Sequence, residues 1–446
     1  MNHKNSHQPH RNGLRRLAIL LSVMVMLSLA SATVLSASAA PEVGSIVWIR
    51  QRVDAPQLFF NMTDRSLRFD SNGNPRIAYG GDHLYYANYD GTKWNLTTVD
   101  GAFGTGQYAS LAVNRASGNT PYISYYDSLS QSLKFATLAG SSWQVQTIDS
   151  PSNVQAQAEA SAPEDVHPSI LEKLPAAPGT PSSLQAITRG VGLYTSIALD
   201  STGKPHIAYL DAINGDLRYA SWTGSVWNLE TLRDGNNKQK AIFISLAIDS
   251  NDNPNIAYYD DKYDHLTLAS FDGRNWSYSQ VDGTTFAGVY ASLALDKNDK
   301  PHISYYDANT GDLKYATLGN SGWSNAKVDT SGDVGGFTSI TLDSNARPWI
   351  SYYDFTTHSL KYARYNGTSW SSGKLTDGDS SGLYTSIATN KTDGEIAISY
   401  YQATTGDLHY AWWDGSKWKI QSGTVDISQD VGQAASLALN KTSGLP

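Results

Sequence analysis

Short runs in which apolar residues alternate with small or polar ones recur along most of the chain, four at a time, with turn residues between them. Over residues 292–329 the runs are "SLALD", "PHISYYD", "LKYAT" and a fourth from Trp323 to the "VD" at 328–329. A period of two sends successive side chains to opposite faces, so each run predicts a half-buried strand; the 3.6-residue spacing of an amphipathic helix is missing. The stretches between runs carry hairpin chemistry, as in "DSNGNP" at 70–75, "DSTGKP" at 200–205, "DGTKW" at 90–94 and "DGRNW" at 272–276.

The four-run phrase returns seven times. One tryptophan marks each copy, at Trp94, Trp143, Trp227, Trp276, Trp323, Trp370 and Trp418, with spacings of 49, 84, 49, 47, 47 and 48. The spacing of 84 holds one period and an insertion, placed at 151–187. Four short antiparallel strands in a period of about 47 residues are the signature of a β-propeller blade, whereas a solenoid of parallel coils repeats over fewer residues. The expected fold is all-β, with seven complete four-stranded blades from Ser66 to Asp426. At the ends, "WIRQRVD" (48–54) matches a fourth strand and "SLALNKTSGLP" (436–446) a first one. The two termini are therefore expected to form a partial eighth blade over the seam, where a gap would leave strand edges unpaired.

Side-chain size supports face-to-face blades. In "PHISYYD", Ile303 and Tyr305 share one face and Ser304 takes the other; the triplet returns at Ile123/Ser124/Tyr125, Ile207/Ala208/Tyr209 and Ile350/Ser351/Tyr352. A bulky face against a small one lets neighbouring sheets approach. The Asp-x-x-Gly-x-Pro hairpin after an inner strand resembles secreted propeller repeats of the NHL-like kind. The "DGxxW" turn is similar to a shortened Asp-box of the sialidase and BNR-repeat group. This resemblance implies a propeller over about residues 46–446 and leaves activity open. Sialidases use three clustered arginines and a Tyr–Glu pair; here Arg76, Arg115, Arg218, Arg233, Arg274, Arg347 and Arg364 are scattered and Glu is scarce. That activity is not carried over.

Composition narrows the setting. Lys4, Arg11, Arg15 and Arg16 precede an apolar stretch, "LAILLSVMVMLSLASATVL", and "ASA" at 37–39 supplies a cleavage site before Ala40. Residues 1–39 are thus expected to be a signal peptide and 40–446 the exported propeller, secreted or at the cell surface; the alternative is an uncleaved anchor. There is no cysteine, which excludes disulfides and thiolate chemistry and suits a prokaryotic exported protein. Net charge is −8, and −12 without the first 39 residues, a balance that speaks against nucleic acid or an anionic membrane as partner. The insertion is rich in Ala, Pro, Ser and Gln and reads as a disordered linker, or as a lid over the axis.

Candidate chemistry lies on the face where the fourth-to-first and second-to-third loops emerge. An aromatic precedes each first strand: Tyr108, Tyr194, Phe243, Tyr290, Phe337 and Tyr384. Second strands end in Tyr126/Asp127, Tyr259/Asp260, Tyr306/Asp307 and Tyr353/Asp354, with Asp211 at the matching place in another copy. The following loop adds Asp216, Asp312 and Asp407. Aromatic platforms beside carboxylates suit sugars, since a ring covers the C–H face and a carboxylate accepts from hydroxyls. A strand-end Asp also caps backbone N–H groups in Asx-turns, and for any single Tyr-Asp pair the scaffold role is favoured. "DANTGD" at 307–312 faintly matches a calcium loop but lacks its terminal Glu, so it reads as a turn. No metal or cofactor is implied.

Residues that break the repeat are the other candidates. His83 and His265 replace the loop Asp, and His358 sits one place earlier. Lys238 and Lys240 occupy the loop between the third and fourth copies. His206 and His302 open second strands at the opposite face and read as structural. Three readings follow. The first is a non-catalytic propeller binding a glycan or another extracellular surface, with His265 included among its ligand contacts. The second is a polysaccharide lyase or glycoside hydrolase using His, Tyr and Arg as acid and base. The third is a structural cell-surface repeat protein.

Overall fold

The computed structural model describes residues 63–153, 190–233, 241–376 and 380–420. Seven antiparallel sheets, each of four sequence-consecutive strands, form seven blades. They run Leu67–Asp100, Gln107–Asp149, Val191–Arg233, Ala241–Asp282, Ala287–Asp329, Val334–Lys374 and Ser381–Ile420. Every blade winds outward from an inner first strand, and the inner strands of adjacent blades pack side by side around one axis. The described residues form an all-β, seven-bladed propeller. Blades seven and one touch directly: Leu67 N–H donates to Ser386 Oγ at 3.1 Å, and Trp94 packs edge-on against Tyr410 at 5.5 Å. The expected signal peptide, nearly all of the insertion, Lys238, Lys240 and the terminal runs assigned to an eighth blade lie outside the described residues.

Four repeating contacts join the blades. The first is a relay of serines beside the axis. An inner strand is an edge strand, and its outer row of N–H groups has no ladder partner. Here Ile197, Leu246, Leu293, Ile340 and Ile387 each donate that N–H to a serine hydroxyl of the preceding blade: Ser110, Ser196, Ser245, Ser292 and Ser339, at 3.0–3.1 Å. Leu67 to Ser386 is the sixth such link. The seventh differs: Leu111 N–H reaches the Arg65 carbonyl at 2.9 Å, and the bypassed Ser66 hydroxyl is buried with no partner among the described residues.

The second contact explains the bulky-small alternation. Ile303 and Tyr305 pack with Leu266, Leu268 and Val281 of the preceding blade. On the other face Ser304 accepts a bond from Thr338 of the following blade at 2.7 Å, and Ser124 and Ser351 do the same for Thr195 and Thr385.

The third is a buried polar bridge. In four blades the tyrosine that opens "YYD" or the matching "YLD" donates to the aspartate that closes the preceding blade: Tyr125 to Asp100, Tyr209 to Asp149, Tyr305 to Asp282 and Tyr352 to Asp329, at 2.6–2.7 Å. A third-strand cation joins each pair, namely Lys134, Arg218, Lys314 and Lys361. Burial pushes the Asp282 and Asp329 carboxyls up, but bonds from the lysine, the tyrosine and a turn N–H outweigh it and hold both below the usual range. The tyrosine hydroxyls shift the other way, upward, through burial and the adjacent carboxylate.

The fourth is the tryptophan seam. Trp143, Trp227, Trp276, Trp370 and Trp418 each meet an aromatic on the third strand of the preceding blade (Tyr86, Phe135, Tyr219, Tyr315 and Tyr362) at 5.1–5.6 Å. Trp323 packs instead on the apolar cluster that contains Leu268. His206 and His302 are bonded to Tyr219 and Tyr315, and burial lowers both imidazole pKa values, in keeping with a structural role.

Removing one partner of a buried pair strands the other, so Lys314→Met is expected to cost about 3–5 kcal/mol at neutral pH. Tyr305→Phe, which leaves Lys314 on Asp282, is expected to cost only about 1–2 kcal/mol. Carboxyls held low in the folded state stabilise it above their unfolded pKa, and that stability is lost as pH falls through the folded value. Urea midpoints of the wild type should therefore drop on acidification below about pH 4, whereas Lys314→Met should lose less because protonation relieves its unpaired Asp282.

Candidate functional site

The six aromatics expected before the first strands lie inside them. Tyr108, Tyr194, Phe243, Tyr290, Phe337 and Tyr384 all have φ of 51–55°, the left-handed region. The pairing shows why. Val289 opposes Tyr306 and Ser292 opposes Ser304, so three steps on the inner strand match two on its neighbour. The same shift recurs in the other five blades that carry the aromatic. A bulge of this kind re-aims one side chain, and the strand starts upstream of the "SLALD" run, at Ala287 where the run opens at Ser292.

The bulge turns the six rings toward the axis, where each meets the next. Centroid separations run 4.8, 5.2, 4.8, 4.7 and 4.7 Å from Tyr108 to Tyr384. In blade one the equivalent place belongs to Asp64, which completes the circle. Glycines two residues upstream permit the approach: a Cβ on Gly192 or Gly382 (φ 109° and 107°) would lie 2.6 or 2.7 Å from the Cα of Leu133 or Leu360 in the preceding blade. Behind the collar stand Tyr126, Tyr306 and Tyr353, 6.2–6.4 Å from Tyr108, Tyr290 and Phe337. Burial drives the Tyr108 and Tyr290 hydroxyls far above the ordinary tyrosine range, with neighbouring phenols adding to it.

Residues 63–65 cross the axis beneath the collar. Asp64 Oδ2 accepts from Ser245 and Ser292 at 2.8 and 2.7 Å, and its carbonyl from Ser339 and Ser386 at 2.9 and 2.8 Å. Thr63 donates to the Ala109 carbonyl, and Arg65 to that of Leu293. The mouth above this plug is a shallow cavity of about 80 Å³ walled by the collar.

The remaining expected site residues lie within the blades. Tyr126, Tyr259, Tyr306 and Tyr353 are at most 2% exposed, and Asp127, Asp211, Asp260, Asp307 and Asp354 at most 5%. Tyr306 donates to Asp333, Tyr259 to Asp264, and Tyr353 shares a bond with His358. The aspartates cap their own loops: Asp127 takes the N–H of Leu129 and Ser130, Asp211 those of Ile213 and Asn214, Asp307 those of Asn309 and Thr310, Asp260 that of Lys262, Asp354 that of Thr357. Asp216, Asp312 and Asp407 open third strands and are buried. In the "DANTGD" loop, Thr310 and the Lys327 ammonium both bond Asp312 Oδ2. His265 opens a third strand and stacks on Tyr263 at 5.6 Å. Of the expected set, then, the axis gathers the six aromatics Tyr108, Tyr194, Phe243, Tyr290, Phe337 and Tyr384.

No family model matches the chain, and no curated protein matches it in sequence. Among solved structures, it is similar to the polysaccharide lyase Uly1, with 10% identity, 88% of this chain and 94% of that one covered, and a TM-score of 0.46. A mutant of AofleA from Arthrobotrys oligospora gives 12%, 81% and 93%, and 0.44. The fucose-specific lectin from Aleuria aurantia gives 13%, 68% and 91%, and 0.42. The blade count and topology rest on this chain's own strands.

A left-handed non-glycine residue carries a penalty of roughly 1–2 kcal/mol, from which glycine is free. Tyr290→Gly is therefore expected to be more stable than Tyr290→Ala by about 1 kcal/mol, the reverse of the order in an ordinary strand. Denaturant midpoints of the two variants measure this, and an ordinary Ala-over-Gly order would mean that the bulge is unstrained.

Proposed function

We propose that the protein is an exported, non-catalytic propeller that holds a glycan across its loop face, with the aromatic collar as the contact surface. One observation carries this reading. Six blades each hold an aromatic ring at the axis in a backbone conformation that costs energy, and outliers of that kind concentrate at ligand clamps. Filling the axis alone would not require it, since apolar residues of ordinary strand geometry can pack there. Tyr194, Phe243, Tyr290 and Phe337, the four rings partly open to solvent, suit the C–H faces of sugars.

The mouth is far smaller than the roughly 300–1,000 Å³ of pockets that enclose a ligand. The sugar would therefore lie across the collar, with affinity gained through several weak contacts. The buried Tyr-Asp pairs support the collar from behind and give it rigidity. Export rests on the charged, apolar and small-residue succession of residues 1–39.

A glycan array probed with the wild type should give retained ligands. Tyr290→Ala and Phe337→Ala should each weaken binding at least about tenfold, one lost aromatic contact being worth about 1.4 kcal/mol or more. Tyr306→Phe, which loses only its bond to Asp333 behind the collar, should bind normally. Retention of no glycan, or equal binding by the collar variants, would exclude this reading. Release of reducing or unsaturated ends from a bound polysaccharide would replace it with an enzymatic one.

A further inference from the structure

The opposite end of the axis is a funnel of about 860 Å³, walled by the far ends of the inner strands, among them Ile197, Ile248, Leu295 and Leu342. Its lining is charged on one side. Arg65 and Arg68 come from blade one, Arg115 from the first turn of blade two and Lys391 from that of blade seven. Arg68 breaks the repeat, because the other blades place Ala112, Ala198, Ala247, Ala294, Thr341 and Ala388 there.

The flanking turns break it as well. Five blades begin this turn with an aspartate (Asp70, Asp200, Asp249, Asp296 and Asp343). The two blades beside blade one have Asn114 and Asn390 instead, each followed by a cation, Arg115 or Lys391. The asparagines still cap their turns, taking the N–H of Ser117 and Thr392. Capping is kept while two negative charges are removed and two positive ones added, in a protein of net charge −8.

These cations are poorly neutralised. Arg68 donates to the Leu67 carbonyl at 2.7 Å, and Arg115 to that of Phe69 at 2.8 and 3.0 Å. Among the described residues, no carboxylate forms an ion pair with Arg68, Arg115 or Lys391. Arg65 has Asp64 at 3.9 Å, but two serines already occupy that carboxylate oxygen. Asp343 and Asp393 also line the funnel, and each accepts from its own turn. Burial, with Arg65 and Arg115 next, lowers the Arg68 pKa to about 9.

We propose that this funnel binds a small ligand bearing oxyanions, whether carboxylate, sulfate or phosphate, on the face opposite the aromatic collar. Guanidinium forks match such groups in charge and in paired hydrogen-bond geometry. The volume lies in the range of pockets that enclose a small molecule. Like charges held together without a counterion destabilise the free protein, and an entering anion removes that repulsion.

Titration calorimetry at low ionic strength tests this with inorganic pyrophosphate and with trigalacturonate, maltotriose serving as the neutral control. An anionic probe should bind one per chain, weaken as salt rises, and raise the thermal midpoint. Arg68→Ala should lose at least tenfold in affinity while its denaturation midpoint, without ligand, stays level or rises. Lys391→Ala, at the solvent-exposed rim, gives a second variant whose folding is not at issue and should weaken binding several-fold. Binding of pyrophosphate alone assigns a free phosphate ligand, and binding of trigalacturonate alone an acidic sugar. Failure of both probes to bind the wild type at millimolar concentration would overturn the proposal, as would wild-type affinity in both variants. Collar variants such as Phe337→Ala should leave this binding unchanged, which separates it from glycan binding on the loop face.

Discussion

A propeller concentrates its difficulty at the axis. Seven inner strands arrive there as edge strands, each with a row of backbone groups that no neighbouring strand pairs. This chain meets the difficulty with a serine in six of the seven blades, short enough to let the strands converge and able both to accept and to donate. The hydroxyl takes an N–H from the next blade, and four of the hydroxyls then donate to Asp64. Each bond is worth only about 0.5–1.5 kcal/mol net. Around a closed circle, however, the bonds fix every blade's height and tilt relative to the next. Among the described residues blades one and seven share no strand, and the Leu67–Ser386 link of this circle joins them together with the outer Trp94–Tyr410 contact.

Outside that circle the repeated Tyr-Tyr-Asp motif divides its labour by position. In Tyr305-Tyr306-Asp307 the first tyrosine reaches back to the aspartate of the preceding blade, the second stands behind the collar, and the aspartate caps the loop that follows. Three consecutive residues thus fix one blade to another, a ring to the axis and a loop to its strand. Repetition over the blades follows from that geometry, since every interface poses the same problem. A recognition role would need these groups to face solvent, and their burial assigns the motif to construction.

How much of this the sequence disclosed depends on the kind of feature. The tryptophan period, the alternation of Ile-Ser-Tyr and the Asp-x-x-Gly-x-Pro turns each report a local backbone state, and they led to seven four-stranded blades. The collar was half legible. The aromatics were visible as a column, but their place inside the strand depends on a bulge, and a bulge shifts register without changing composition. The glycine two residues ahead of Tyr194, Tyr290, Phe337 and Tyr384 was its signal, because a strand admits Gly where another backbone comes close. Asp64 was not legible. Its partners lie 181 to 322 residues away, and no periodicity connects one acid to serines that also serve as ordinary strand residues.

Blade one shows what departing from the repeat accomplishes. A seventh aromatic would have completed the collar, but the main chain of residues 63–65 crosses the axis at that point, and Asp64 is the side chain that can bond the serines below. Once an acid anchors the crossing, the next residues on that strand face the far end of the axis, where Arg65 and Arg68 stand in place of small side chains. The six regular blades give the ring its aromatic end, and blade one with the first turns of blades two and seven gives it a cationic one. Repetition thus sets the chemistry of one end of the axis, and departure from it in blades one, two and seven that of the other.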